Sequence, residues 1–249
     1  MVVFVISGAS YGIGPELVHR ASHDSGNVVF ALVKSAKAAE RLAGLSSTRN
    51  NVHVYFEAQK DLQVGYEIIA RDISRTVSSI DVLINNIAWV RDCLGMQNLL
   101  RSNHEPNQIN DLQQFFSNHV LDSIHITNAF IPLLRRGSLK KVVTITSEGV
   151  INHHSVLPSG LDVGVAYAMA KTALDMAVSR YSAIPELKQN GVVCVMVECE
   201  HMDGREQDKD NPYEQVQELA RGVFKMIERL ERDNSGRCIK LKERDLITF

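Results

Sequence analysis

Strand-sized runs of Val and Ile alternate with helix-like stretches along almost the whole chain. VVFVI (2–6) leads into PELVHRASH, NVVFALV (27–33) into AKAAERLAGL, and NVHVYFEA (51–58) into GYEIIARDISRTV. IDVLINNIA (80–88) precedes a long helical region that reaches IPLL. KVVTITS (141–147) precedes YAMAKTALDMAVSRYSAI, and GVVCVMVE (191–198) precedes EQVQELARGVFKMIERL. RCIKL (237–241) closes the series. The runs do not alternate apolar with polar residues, which predicts strands covered on both faces. Strand followed by helix, repeated six times, predicts an α/β chain: a doubly wound, mostly parallel seven-stranded sheet with helices on both faces. No repeat, low-complexity tract or linker interrupts it, so 1–249 reads as one domain.

Composition excludes several classes. A formal net charge of −2 gives no electrostatic case for nucleic acid or an anionic membrane. The longest apolar runs are strand-sized, too short to span a bilayer as helices. Val2 to Ile6 has only Met1 before it and reads as a first strand, not a signal peptide. The four cysteines, Cys93, Cys194, Cys199 and Cys238, form no CxxC pair. No metal site or disulfide framework is expected, and reduced thiols fit a cytoplasmic location.

The first strand ends at Ser7 and runs into GASYGIG, with Gly8, Gly12 and Gly14 spaced GxxxGxG, then Pro15. A strand that turns tightly into a helix aims the helix N-terminus at an anion. On this reading Gly8 permits the turn, Gly12 lets a pyrophosphate approach the backbone, and Gly14 lets helix and strand pack closely. Ser10, Tyr11 and Ile13 complete the loop. Pro15 suits the first helical turn, where an N–H is not needed. The second strand ends FALVKSAK, without the acid that would take the ribose 2′-hydroxyl of NAD. Lys34 and Ser35 stand where a 2′-phosphate can be held, which favours NADP(H); a solvated lysine is the bland alternative for Lys34.

SGASYGIG, LINNIA, TITS and YAMAK fall in that order, and the set resembles the short-chain dehydrogenase/reductase superfamily, whose fold is of the Rossmann type. FALVKSAKAAERL, AFIPLLRRGSLKKVVTITSEG and SGRCIKL are similar to its fungal reductases related to norsolorinic acid ketoreductase and the C-factor protein. The resemblance implies an active site of Ser147, Tyr167 and Lys171, with Lys171 also on the nicotinamide ribose and Ser147 on the substrate oxygen. The chemistry stands beside it. Positions 167 and 171 share a helix face. A free phenol, with a pKa of about 10, is too weak an acid near neutrality, and a nearby ammonium lowers that value. Tyr167 can then pass a proton to a carbonyl oxygen as hydride arrives. The resemblance also implies that Asn85 and Asn86 support the sheet and the adenosine half of the cofactor; side chains capping a turn are the equal alternative.

Several positions depart from the family pattern. His119 stands where the resemblance implies an Asn that positions a relay water. Asn118 is one residue, about 100°, off that direction. His119 can carry a proton or hold the water, or be an ordinary polar helix residue. Val197 and Glu198 replace an expected Pro-Gly turn along the cofactor, Met202 lies near the usual Thr, and Ala58 or Gln59 replaces an Asp near the adenine. Between Ser147 and Tyr167 lie His153, His154 and Asp162. The histidines lack further ligands at metal spacing. Asp162 is either a cap or turn residue, or a carboxylate that faces a cationic substrate such as an iminium.

The expected function is NADPH-dependent reduction of a carbonyl or imine on a small organic molecule, in fungal secondary metabolism by analogy. A reductase that also guides a cyclisation, and a cofactor-binding scaffold without turnover, are the alternatives. Segments 91–110 and 199–213 follow strand ends and would shape the substrate pocket. A homodimer or homotetramer is expected from the resemblance.

Overall fold

The structure is a computed structural model and describes residues 1–10, 12–56, 62–86, 108–147, 165–199, 212–241 and 246–248. Strands β1 (Val3–Ser7), β2 (Val28–Val33), β3 (Val52–Phe56), β4 (Val82–Asn86), β5 (Lys141–Ser147), β6 (Val193–Cys199), β7 (Cys238–Leu241) and β8 (Leu246–Thr248) form one sheet in the order β3-β2-β1-β4-β5-β6-β7-β8. β1 to β7 pair in parallel, and β8 pairs antiparallel with β7. The parallel seven-stranded sheet expected from the sequence is present. β8 is an addition: three residues after a charged KERD stretch carry too little pattern to announce a strand.

The helices are α1 (Gly14–Ala21), α2 (Ala36–Thr48), α3 (Leu62–Thr76), α4 (Gln108–Phe116), α5 (Asp122–Leu134), α6 (Val165–Ala183), α7 (Pro185–Gln189) and α8 (Pro212–Arg229). Successive strand residues point to opposite faces, and the core divides accordingly. Phe4, Ile6, Ile84, Val143 and Val195 pack against Leu17 of α1, Leu42 of α2 and Val223 of α8. Val5, Phe30, Leu83, Val142 and Met196 pack against Tyr66 of α3, Phe130 of α5 and Leu174 of α6. The central strands are buried on both sides, which is why their sequences run apolar without alternation.

Two helical details depart from simple periodicity. A π-turn (Ser117–Leu121) joins α4 to α5 and inserts an extra residue into the helical repeat. α7 separates α6 from β6; Ile184 is extended before Pro185, which starts a new helix rather than continuing the old one.

Candidate active site

β1 has β2 on one side and β4 on the other, so the chain reverses its direction of winding at the C-terminal end of β1. Ligands bind at such an edge in open α/β sheets. The glycine turn lies there. Gly8 has φ +60°, a value L side chains rarely adopt, and a β-carbon on it would overlap the backbone carbonyl of Asn86. Gly14 sits so close to the carbonyl of Gly8 that a methyl group has no room. Gly12, at φ +55°, faces open space. The side-chain amide of Asn86 donates to the Gly8 carbonyl at 2.9 Å and ties β4 to the turn. Asn85 donates to Oγ1 of Thr127 on α5 at 3.0 Å. Both Asn side chains therefore take part in the frame of the crevice.

The turn fits an anion such as a diphosphate. Ile13, the N-cap residue of α1, offers no side-chain acceptor, and among the described residues no other side chain caps the leading N–H groups. Ser10 Oγ is buried without a hydrogen-bond partner among the described residues. The Ile13 side chain packs into the core under the turn. Tyr11 lies outside the described residues.

Lys34 and Ser35, expected to meet a 2′-phosphate, have partners inside the protein. Ser35 is the N-cap of α2 and accepts from Ala38 N–H at 3.2 Å. Lys34 Nζ pairs with Asp122 Oδ2, at the start of α5. Lys34 is exposed on one side and paired with this carboxylate on the other. Asp122 Oδ1 accepts from the Tyr66 hydroxyl at 2.7 Å.

His119 lies in the π-turn, buried, with its ring stacked on Phe115 at a centroid distance of 3.9 Å. Burial, and then the charge of Lys34, push the imidazole down to about 4, so it is neutral at physiological pH. Asn118 is exposed and does not stand in for it.

β5 ends at Ser147, which pairs in register with Cys199 at the end of β6. α6 carries Tyr167 and, one turn on, Lys171. The backbone of Ser147 and Tyr167 is described and their side chains are not. Lys171 is buried, and its Nζ lies 3.0 Å from Glu198 Oε1 on β6. Lys171 was expected beside the phenol and on the ribose, and its pairing with the Glu198 carboxylate is a contact that the sequence did not announce. The side chain of Val197, the residue expected along the cofactor, is fully buried in the core beside α8, and the carboxylate of the neighbouring Glu198 meets Lys171. Burial pushes the thiols of Cys199 and Cys238 up to about 12, with the Glu198 carboxylate adding to the effect and Lys171 opposing it. Those thiols are protonated and inert at neutral pH. Asp162, His153, His154, Cys93, Met202, Ala58 and Gln59 lie outside the described residues.

Asp122 and Tyr66 were not legible from sequence, since nothing in the local pattern of α5 or α3 marks a residue that reaches across to Lys34. Glu198 was visible as a carboxylate in an unusual place, but not its partner. Among the described residues no group of three His, Cys, Asp or Glu side chains can hold a metal ion, and no helix is long and apolar enough to cross a membrane.

A family model described as short chain dehydrogenase matches residues 2–215. The chain belongs to that family of oxidoreductases. It is 32% identical to the short-chain dehydrogenase/reductase atnB of Arthrinium sp, over 90% of this chain and 83% of the relative. It is 27% identical to the short chain dehydrogenase virK of Hypocrea virens, over 79% and 72% of the two chains. Its fold is similar to that of the NADPH-bound carbonyl reductase from chicken fatty liver, with a TM-score of 0.78, 18% identity and 100% of both chains covered. The carbonyl reductase Sniffer of D. melanogaster gives a TM-score of 0.73 at 18% identity, over 97% of each chain.

Proposed function

We propose that this protein reduces a carbonyl, or an imine or iminium, of a small organic molecule with NADPH, and that 1–249 acts as one nucleotide-binding domain. The observation that carries this reading is a convergence at one sheet edge. The glycine turn, with its uncapped α1 N-terminus and the Ser10 Oγ that has no partner among the described residues, lies at the edge where β5 ends in Ser147 and where Glu198, one residue before the end of β6, reaches Lys171. The residues that would hold the dinucleotide are Gly8, Ser10, Gly12 and Gly14 at its diphosphate and Lys34 near its adenosine ribose. When bound, the cofactor supplies the hydride. Tyr167 is assigned as the proton donor to the substrate oxygen, Ser147 as the hydrogen-bond donor that holds that oxygen, and Lys171 as the cation one helical turn from the phenol. His119, buried and stacked on Phe115 with its imidazole pushed down to about 4, is assigned to the site as packing or as a neutral hydrogen-bond partner.

Fungal secondary metabolism is the setting suggested by the sequence resemblance, and segments 91–110 and 199–213 would line the substrate pocket. A homodimer or homotetramer through α5 and α6 is supported by exposed apolar side chains there, Met169 and Met176 on α6 and Leu121 just before α5.

One observation favours a second reading, a cofactor-binding scaffold without turnover: Lys171 is already paired with a carboxylate. The test is to mix the protein with NADPH and a panel of ketones, diketones, quinones and cyclic imines, and to follow the reduced-nicotinamide absorbance. Consumption with any member is the result expected of the reductase. Tight binding of NADPH with no consumption across the panel would favour the scaffold.

A further inference from the structure

Lys34, the residue best placed to meet a 2′-phosphate, is held by a fixed anion. Asp122 is buried at the start of α5, its side chain only 8% exposed. Tyr66, itself fully buried on α3, donates to one of its oxygens, and Lys34 pairs with the other. The carboxylate is therefore clamped between two helices that pack on one another. Lys34 is the exposed member of the group, with 42% of its side chain open to solvent. The neutral His119 ring, which also feels Lys34, adds no competing charge at neutral pH.

We propose that Asp122 is a specificity-determining residue that restrains Lys34 and so weakens the protein's preference for a 2′-phosphorylated dinucleotide over an unphosphorylated one. The physical reason is a competition. A ribose 2′-phosphate at the end of β2 draws Lys34 toward itself, and the buried Asp122 loses its cation while keeping only the Tyr66 hydroxyl. A buried carboxylate deprived of its partner opposes that move. An unphosphorylated ribose leaves the pair intact and meets no such opposition. The proposal rests on the reading that the glycine turn binds a nicotinamide dinucleotide with its adenosine ribose near the end of β2.

The test is equilibrium binding of NADPH and of NADH to the full chain, followed by cofactor fluorescence at one fixed ionic strength. The proteins are the wild type, Asp122→Asn, Lys34→Ala and the double variant. Asp122→Asn keeps an acceptor for Tyr66 and removes the charge. It is expected to tighten NADPH about fivefold, the size of a half-exposed ion pair released to a new partner, and to leave NADH within about twofold. In the Lys34→Ala background the same substitution is expected to change neither cofactor. If Asp122→Asn does not fold, Asp122→Ser, which also keeps an oxygen for Tyr66, takes its place with the same expectation. An unchanged ratio of NADPH to NADH affinity in the charge-removing variant overturns the proposal. So does an equal change without Lys34. If the wild type binds neither cofactor, the functional reading itself fails and the proposal falls with it; binding of both with an insensitive ratio defeats the proposal alone.

Discussion

Lys171 on α6 and Glu198 on β6 form a buried ion pair, Nζ to Oε1 at 3.0 Å, with side-chain exposures of 2% and 8%. The pair closes the space between the helix that carries Tyr167 and the strand that pairs with β5 at Ser147. Asp175 one turn along α6, Cys199 and Cys238 surround it. A pair of this kind contributes little net stability when whole, yet removing one partner leaves the other buried charge less well compensated.

Glu198→Leu is therefore expected to lower stability by about 3 kcal/mol, and Lys171→Met/Glu198→Leu to recover a large part of that loss. Chemical denaturation of the three proteins measures both. Equal losses in the single and double variants would mean that the two side chains do not act as a pair.

His119 gives the stability a pH dependence with a defined sign. Its folded value is pushed down to about 4 from an ordinary value of 6.5. Below 6.5 the unfolded chain takes up a proton that the native state refuses. The stabilisation is present above pH 6.5 and is lost as pH falls toward about 4, with a full size on the order of 3 kcal/mol. His119→Gln is expected to flatten this part of the profile. Denaturation midpoints of both proteins between pH 7 and about pH 4 test it, and parallel profiles would contradict the assignment.

The glycine turn separates two steric situations. Gly8→Ala forces a β-carbon against the Asn86 carbonyl at φ +60°, with strain from both the conformation and the overlap. It is expected to disrupt the junction of β1 and β4 and to abolish binding of NADPH. Gly12→Ala meets nothing within 4 Å and carries only the conformational cost at φ +55°, about 1 kcal/mol. Its fold is expected to persist with weaker cofactor binding. Thermal unfolding and cofactor fluorescence distinguish the two; equal behaviour would mean that the close approach to Asn86 does not matter.

The sheet was legible because burial on both faces writes itself into β1, β2, β4, β5 and β6 as largely apolar stretches rich in Val and Ile. The glycine turn was legible because backbone conformation and close approach demand one residue type at fixed places. The π-turn was not, since an extra helical residue leaves the apolar spacing almost unchanged. The ion pairs were not either. Lys171 meets Glu198 across 27 positions and Tyr66 meets Asp122 across 56, and single-chain patterning carries no information about such pairing. Lys34 shows the consequence: its chemistry and position suited a phosphate, and the fold supplies it with a carboxylate that no local motif announces.

The most direct test of the reductase reading is the rate of NADPH consumption by Tyr167→Phe beside the wild type, with whichever carbonyl or imine probe the wild type turns over. Phenylalanine keeps the ring and removes the transferable proton. A fall of about 100-fold or more in kcat, with NADPH binding retained, is the expected result. An undiminished rate would contradict it.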